Sequence, residues 1–447
     1  MTPRIATIAF TVAIAAGAAV RISVLPVRVA AIDESWRAWS YHAAAEGAAR
    51  IYGPRGHSVR FGGIDVPVVY PPLALYELGS VGRIYARFTH GRFADDDRLT
   101  IALKATIVLF EAALTALIYA TIRRARGPAA AQVGAAAYWI NPAALIATSL
   151  GYIDALFALP ATAAVVAASA ARPALAGVLL AAAAMTKPQG IFVAPVVALA
   201  LWNAGDRHDA GRRAAIGAAA GALTITALLI PLALAGTTFD MIRSVGVLAG
   251  HDMLSALAFN AWWLVSFLFA AADAAGGGLR AMVAAQPSIV THAEAMQRGV
   301  PQPRLIALLL LAPILFWALY RGRAAADLGL QSALAAFIVV AYFVLSVQVH
   351  ENHFFVAVPF LTLAAALRPE FAAVAAALSA SFALNLFFIY GWAGHTPATS
   401  MVPIARVDAT VVLAVLNCVL LGWFGRTLAR AVRRRSSGTG YGAPAGA

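Results

Sequence analysis

The chain repeatedly reaches the length and hydrophobicity that a membrane helix requires. Apolar runs follow one another from the N-terminus to about residue 426, and several reach the roughly 17–25 residues that cross a bilayer. Charged residues make up only 12% of the sequence, against about 25% in a soluble domain. Because a backbone in lipid must satisfy its own hydrogen bonds, these runs predict an all-α polytopic membrane protein.

We predict about twelve transmembrane helices in a single domain, residues 1–428. They are expected at 5–24, 100–122, 129–147, 152–170, 174–186, 190–204, 214–235, 304–320, 328–347, 354–367, 371–389 and 408–426. Two long loops, 25–99 and 236–303, interrupt the series, and a basic, then flexible tail is expected over 429–447.

The arginines indicate how these spans are oriented. Short loops and ends carry arginine at 123–126, 172, 207–213, 321–323, 368 and 430–435. With twelve spans, all of these segments fall on the side of the N-terminus, which the positive-inside rule makes cytoplasmic. The apolar stretch 261–275 is therefore interpreted as a helix at the membrane surface, where Trp262 and Trp263 suit an interfacial position. The two long loops then face outward, and we expect a bacterial inner membrane with an extracytoplasmic site.

The charge and cysteine content exclude several classes of protein. The net charge of +13 comes from 33 Lys+Arg against 20 Asp+Glu, and it requires no nucleic-acid partner because cationic segments anchor to anionic membrane lipids. The single cysteine, Cys418, lies in an apolar run and excludes an intrachain disulfide. Residues 1–24 resemble a signal peptide, but the long apolar core favours an uncleaved helix.

The first long loop opens with an acidic pair and later carries two adjacent prolines. Asp33 and Glu34 follow the first span directly, at the water interface, where a carboxylate can stay ionised and act as a base. Pro71 and Pro72 fix φ twice and remove two N–H donors, which predicts a rigid extended turn after Tyr70. Amphipathic helices are expected at 34–49 and 72–88.

Further polar residues recur at the ends of spans that share this face. They are Asp154, Lys187, Gln189, Arg243, His350, Glu351 and His353. Any one of them could be a snorkelling side chain. Several such groups on one face, above an apolar interior, favour a site at the membrane boundary.

Each acidic candidate also has a purely structural interpretation. Asp is a favoured N-cap, so Asp33 could cap the helix that follows it; we favour its role as a catalytic base. Asp154 is interpreted as a hydrogen-bond acceptor for structure or substrate. Asp65 is expected in a turn, and the run 95–97 is expected to be a solvated stretch before the second span.

The basic candidates point to phosphate more than to metal. Lys187, beside Pro188, either marks a helix end or binds phosphate. His350 and His353 could ligate a metal together with Glu351, but they lack the i, i+4 histidine pair of metalloproteases. As imidazoles they can donate hydrogen bonds to phosphate instead. No metal or other cofactor is therefore expected.

In order and spacing, these motifs resemble the GT-C superfamily of integral-membrane glycosyltransferases. The resemblance begins with the carboxylate after the first span and Tyr70–Pro71–Pro72–Leu73. It continues through Asn141–Pro142, Gly151–Tyr152–Ile153–Asp154 and Met185–Thr186–Lys187–Pro188–Gln189–Gly190. Val349–His350–Glu351–Asn352–His353 is similar to the Val-His-Glu-Lys motif of the dolichyl-phosphate-glucose-dependent glucosyltransferases of asparagine-linked glycosylation. Bacterial mannosyltransferase-like members share these features.

The resemblance implies transfer of a hexose, mannose or glucose, from a polyprenyl-phosphate donor to a lipid-linked or envelope glycan acceptor, with inversion. Asp33 would be the base, and Glu34 would assist it or bind the sugar. Lys187, Arg243, His350 and His353 would meet the leaving phosphate. Asn352 stands where the glucosyltransferases have lysine, which leaves the sugar open. The main alternative is a twelve-span transporter or lipid flippase, although transporters place their charges near the bilayer midplane.

Overall fold

The computed structural model describes residues 3–54, 57–91, 93, 97–325, 327–395, 403–404 and 407–436. This part of the chain is mostly helical, as predicted. The helices of its first half are α1 (Pro3–Ser23), α2 (Ala30–His42), α3 (Pro72–Phe88), α4 (Asp97–Arg126), α5 (Pro128–Trp139), α6 (Pro142–Leu150), α7 (Asp154–Ser169), α8 (Pro173–Thr186), α9 (Ala194–Asn203) and α10 (Ala210–Ala235). Those of its second half are α11 (Thr238–Ala249), α12 (Ala261–Asp273), α13 (Gly278–Val283), α14 (His292–Gln297), α15 (Pro303–Gly322), α16 (Leu328–Leu345), α17 (Ala357–Leu367), α18 (Ala372–Tyr390) and α19 (Ala409–Ser436).

Short strands and tight helical turns join these helices. The strands form three two-stranded pairs: β1 (Ser58–Phe61) with β2 (Ile64–Pro67), β3 (Ser255–Ala256) with β4 (Val349–His350), and β5 (Pro403–Ile404) with β6 (Val407–Asp408). The first and third pairs are antiparallel and the second is parallel. A π-helical turn covers Ala43–Gly47, and 3-10 turns cover Pro188–Val193, Arg207–Asp209, Ala275–Gly277, Glu351–Phe354 and Pro369–Phe371.

Within the described chain, seven helices are long and apolar enough to cross a membrane, or up to nine if each of two bent pairs is one span. The seven are α1, α4, α10, α15, α16, α18 with its preceding turn, and α19. The bent pairs are α5 with α6, at 42°, and α12 with α13 and its preceding turn, at 58°. The shorter apolar helices α7, α8, α9 and α17 occupy four of the predicted spans. Each predicted span thus coincides with a helix or a bent pair, and the integral-membrane, all-α class is confirmed.

Prolines and asparagines explain where many of these helices begin. Proline occupies the first turn of α3, α5, α6, α8 and α15, where its missing N–H has no helical acceptor to lose. The side chain of Asn141 accepts from the N–H of Ala143, and that of Asn260 accepts from Trp262 and Trp263. Capped starts of this kind set the direction in which each helix leaves its loop.

The first loop forms a compact layer of α2, the π-helical turn, α3 and the β1–β2 hairpin. Helices therefore occur where the amphipathic patterns predicted them, although the first starts at Ala30 and not at residue 34. Gly82 allows α3 to pack closely, since a Cβ there would lie 2.4 Å from the carbonyl oxygen of Ser40. Trp36 and Trp39 are buried in this layer, so α2 belongs to the core of the protein.

The capping interpretation of Asp33 needs correction. Val29 is the N-cap of α2, and Asp33 lies in its first turn, so Asp33 does not cap the helix. The basic segment 430–435 is helical, because α19 continues to Ser436. Residues 437–447, and Asp95 and Asp96 of the acidic run, lie outside the described residues.

Three charged residues of the early helices, Arg21, Lys104 and Glu111, are buried and hydrogen-bonded. The Nε atom of Arg21 lies 2.5 Å from Oε2 of Glu111, and both side chains are almost fully buried. The Nζ atom of Lys104 donates to the carbonyl oxygens of Val24, Val27 and Ser149 at 3.2, 2.5 and 2.7 Å. Lys104 thereby joins the end of α1 and the following segment to the end of α6.

Glu77 on α3 leads to a first prediction. Burial raises the pKa of its carboxyl from 4.5 to about 8, and its Oε2 atom is buried without a hydrogen-bond partner. Between these two values the unfolded chain releases the proton before the folded one does, so stability falls as the pH rises. We expect Glu77→Gln to melt at a higher temperature than the parent at about pH 9, with a smaller difference at about pH 5.

Thermal unfolding in detergent at both pH values checks this, with Glu294→Gln as the exposed control. Glu294 lies on α14, and its pKa is lowered by hydrogen bonds from the backbone and side chain of Thr291. Identical pH dependence of Glu77→Gln and the parent would contradict the prediction.

Candidate active site

Pro188 explains why Lys187 turns away from α8. A residue before proline is disfavoured in the helical region, and Lys187 has φ −149° and ψ 133°. Helix α8 therefore ends at Thr186, and the lysine side chain enters the bundle, where it is 2% exposed. Pro188, which indicated a helix end in the sequence, thus also determines where the Lys187 ammonium lies.

Lys187 forms a buried ion pair with Asp154 at the start of α7. Its Nζ atom lies 2.6 Å from Oδ1 of Asp154, while Nδ2 of Asn352 donates to Oδ2 of the same carboxylate at 3.0 Å. The ammonium also lies 5.7 Å from the ring centroid of Tyr70 and 5.4 Å from that of Phe157. A buried charge needs such a set of partners. We call Asp154, Lys187 and Asn352 the Lys187 cluster.

Glu351 stands next to this cluster and is held by two tyrosines. The hydroxyls of Tyr152 and Tyr390 both donate to its Oε1 atom, the latter at 2.9 Å. The second oxygen, Oε2, lies 3.9 Å from Nδ1 of His350. Two donors to one oxygen fix the carboxylate in a single orientation.

The hydrogen bonds around His353 assign its proton. The N–H of His350 donates to Nδ1 of His353 at 3.3 Å, so Nε2 carries the hydrogen. The amide of Gln189 lies 2.9 Å from that Nε2 atom, and the Gln189 Oε1 atom is otherwise buried without a partner. Placing Oε1 against the His353 N–H satisfies both groups and leaves the Gln189 NH₂ as a donor.

A second imidazole pair forms the more open edge of the site. Nδ1 of His251 lies 3.3 Å from Nε2 of His350, whose side chain is 35% exposed. Burial lowers the pKa of both histidines, although Glu351 acts in the opposite direction on the pKa of His350. As neutral imidazoles the two rings carry one N–H each; one is used in the contact between them, so the pair has one N–H left to donate to an anion.

Asp33 lies on the other side of the site, in a cavity of about 190 Å³. Its Oδ2 atom accepts from the Thr100 hydroxyl at 2.7 Å and lies 3.8 Å from a guanidinium nitrogen of Arg37. Burial raises the pKa of the Asp33 carboxyl, while Thr100 and Arg37 oppose that shift. Both contacts go to Oδ2, and neither goes to Oδ1. The cavity is lined by Arg28, Asp33, Glu34, Arg37, Phe61, Gly62 and Ile64.

Trp36 and Tyr70 connect α2, which carries Asp33, to the Lys187 cluster. The indole N–H of Trp36 donates to the carbonyl oxygen of Gly151 at 2.9 Å, and its ring centroid lies 5.5 Å from that of Tyr70. Gly151 ends α6 with φ +85°, a conformation that favours glycine. Tyr70 thus contacts the Trp36 ring on one side and Lys187 on the other.

The structure brings most of the sequence-predicted residues into two neighbouring groups. Asp33 and Glu34 line the Asp33 cavity. Tyr70 lies between Trp36 and Lys187. The Lys187 cluster and its surroundings contain Asp154, Lys187, Gln189, His350, Glu351 and His353. Arg243 lies apart: its side chain on α11 is 62% exposed and lies 3.5 Å from Asp240. Its role in binding therefore stays a prediction.

Sequence reasoning missed several side chains that complete these groups. Thr100 and Tyr390 give no signal of their own, because each lies in or next to a long apolar helix. Tyr152 and Asn352 lie inside the motifs Gly151–Asp154 and Val349–His353. Their position beside a candidate residue is the sequence signal that could have identified them. Among the described residues, no group of three or more His, Cys, Asp or Glu side chains could hold a metal ion.

These helices and their loop layer form an all-α membrane fold. The sequence matches no protein-family model and no curated protein sequence. Among solved structures, the fold is similar to that of ArnT from Cupriavidus metallidurans bound to undecaprenyl phosphate, with a TM-score of 0.51 and 14% sequence identity. The match covers 96% of this chain and 78% of that chain. The expected fold is thereby confirmed.

Proposed function

We propose that the protein is a glycosyltransferase that takes a sugar from a polyprenyl-phosphate donor. The observation that carries the proposal is a carboxylate cavity on α2, connected through Trp36 and Tyr70 to a separate group that bears a cation and imidazoles. The GT-C fold, and the undecaprenyl phosphate bound to ArnT, support a polyprenyl-linked donor. The sugar is proposed to be a hexose, mannose or glucose, and the acceptor a lipid-linked or envelope glycan.

Asp33 is proposed as the general base. The acceptor hydroxyl gives its proton to the carboxylate as its oxygen forms a bond to the anomeric carbon. The bond from that carbon to the phosphate oxygen breaks on the opposite side, which inverts the anomeric configuration. Glu34, in the same cavity, is proposed to orient the acceptor or the sugar.

The leaving polyprenyl phosphate is proposed to lie beside Lys187 and the imidazoles. It gains negative charge as the bond breaks, and preorganised donors lower the energy of that charge. His350 and His251 form the more open edge, so they would contact the phosphate before the buried Lys187 does. The apolar chain would lie against the lipid-exposed helices.

We propose that this site faces the extracytoplasmic side of a bacterial inner membrane. The arginine distribution supports the orientation, because every short arginine-bearing segment falls on the opposite side under the twelve-span count. A polyprenyl-phosphate sugar suits such a location, since it carries its own membrane anchor and needs no soluble nucleotide pocket.

The direct test supplies purified protein in liposomes with a radiolabelled polyprenyl-phosphate hexose and a membrane-lipid extract as acceptor. We expect a labelled product and free polyprenyl phosphate in equal amounts, with an inverted linkage by NMR. Passage of the labelled donor across the bilayer with no new linkage would favour a transporter and would contradict the proposal.

A prediction for the imidazole pair follows from its position. We expect His350→Gln to weaken donor affinity roughly tenfold, the scale of one lost hydrogen bond to a charged group. Binding of undecaprenyl phosphate, measured by native mass spectrometry in nanodiscs, checks this.

Arg243→Ala is the comparison variant for this measurement. Arg243 stays a predicted phosphate ligand, but its side chain is 62% exposed and lies beside Asp240, so we expect a smaller loss of affinity than in His350→Gln. A loss at Arg243 together with parental affinity in His350→Gln would move the phosphate site from the imidazoles to α11.

A further inference from the structure

A second cavity lies on the outside of the first-loop layer, between α3 and α4. It measures about 450 Å³ and is lined by Val81, Ile84, Tyr85, Phe88, Thr89, Arg98, Ala102 and Thr106. None of these residues belongs to the candidate active site. We call this cavity the α3–α4 groove.

The groove has the length of a lipid-chain segment. Arg98 and Thr106 lie eight residues apart on α4, which at 1.5 Å per residue is about 12 Å. Because Arg98 stands in the first turn of a membrane-spanning helix, the groove extends from the headgroup region into the hydrocarbon region. Its α3 wall exposes Ile84 and Phe88, which are 58% and 84% accessible.

Apart from one cation, the walls offer little to a polar ligand. The hydroxyl of Thr106 donates to the carbonyl oxygen of Ala102 at 3.0 Å, and the hydroxyl of Thr89 donates to the carbonyl oxygen of Tyr85 at 2.9 Å. Both hydroxyls are thus turned onto their own helices. The charged side chain of the lining is Arg98, at the end nearest the membrane surface.

The surrounding charges favour an anionic headgroup at that end. Arg83 and Arg87 are exposed on the last turns of α3. The acidic run 95–97 precedes Arg98 in sequence, and its described member Asp97 lies 2.9 Å from the Nε atom of Arg28. Basic residues at the headgroup level attract anionic lipids, and a guanidinium matches the geometry of a phosphate.

We propose that the α3–α4 groove binds an anionic glycerophospholipid, with its phosphate on Arg98 and one acyl chain between α3 and α4. The lipid covers Ile84 and Phe88 and fills the space above Ala102. This site is independent of the transferase chemistry, so it stands whether or not the protein transfers sugar.

The test places the protein in nanodiscs that contain phosphatidylglycerol or phosphatidylcholine and counts retained lipids by native mass spectrometry. We expect retention of phosphatidylglycerol over phosphatidylcholine, and a roughly tenfold loss of that retention in Arg98→Gln. Ala102→Phe fills the groove and is expected to remove the lipid while Arg98 stays in place.

Leu109→Phe is the matched control, because Leu109 is 68% exposed on the same helix and lies outside the lining. It is expected to retain phosphatidylglycerol as the parent does. Equal retention of the two lipids by the parent, parental retention in Ala102→Phe, or an equal loss in Leu109→Phe would each overturn the proposal. Thermal unfolding of every variant identifies one that fails to fold, and Ala102→Leu then replaces Ala102→Phe as a smaller filling substitution.

Discussion

Asp33→Asn is expected to abolish sugar transfer while the protein still inserts and folds. A positioned general base contributes roughly 10²–10⁴-fold to such a step, and an amide cannot accept the acceptor proton. Asparagine keeps the size of the side chain and can still accept from Thr100, whose hydroxyl contacts Oδ2 at 2.7 Å. The loss should therefore appear in the transfer rate and not in donor affinity.

Radiolabelled donor followed into product measures the rate, and undecaprenyl phosphate binding measures affinity. Asp65→Asn is the matched control, since Asp65 is an exposed carboxylate on β2 of the same loop. A parental transfer rate in Asp33→Asn would remove Asp33 from the role of base.

The pH dependence of transfer gives the same assignment an independent check. Burial raises the pKa of Asp33 above its usual 3.8, and only the ionised carboxylate can accept a proton. The rate should rise with pH across the Asp33 titration, at a pH above the ordinary aspartate range. This acidic limb should be absent from any residual activity of Asp33→Asn.

Lys187→Met is expected to destabilise the fold strongly as well as to weaken donor binding. Removing one partner of a buried ion pair leaves the other charge uncompensated, which costs about 3–5 kcal/mol. Here the remaining charge would be Asp154, which is 1% exposed. Denaturant unfolding in detergent should show the loss for the single variant.

A double variant separates folding from function. In Lys187→Met/Asp154→Asn the buried charge is gone, and the Asn352 amide can still donate to the carbonyl oxygen at position 154. We expect stability near that of the parent and donor affinity that stays low. Recovered donor affinity in a stable double variant would show that the ammonium serves the fold alone.

The sequence was sufficient to predict the helical membrane class and most positions of its helices, because apolar periodicity and length are local properties. It also located the two halves of the candidate site at helix ends. Prolines marked both halves: Pro71 is the N-cap of α3 and Pro72 its first residue, and Pro188 follows Lys187, whose side chain enters the bundle.

What the sequence did not predict depends on contacts between distant segments. The sequence did not indicate that Arg243 lies 3.5 Å from Asp240 with 62% of its side chain exposed. Thr100 binds Asp33 across 67 positions of sequence, and Tyr390 reaches Glu351 from the end of α18. The capping interpretation of Asp33 was wrong because the helix begins four residues earlier than the polar pattern indicated.

The three carbonyl contacts of Lys104 have a consequence for substrate selection. Its ammonium joins Val27, shortly before Asp33, to Ser149, just before the glycine that receives the Trp36 indole. In the proposed mechanism, these contacts would fix the spacing between the Asp33 carboxylate and the leaving phosphate, and such fixed alignment favours reaction. A gap of constant width would reject ligands by size, so adaptability would lie in the flexible isoprenoid chain of the proposed donor and not in the polypeptide around it.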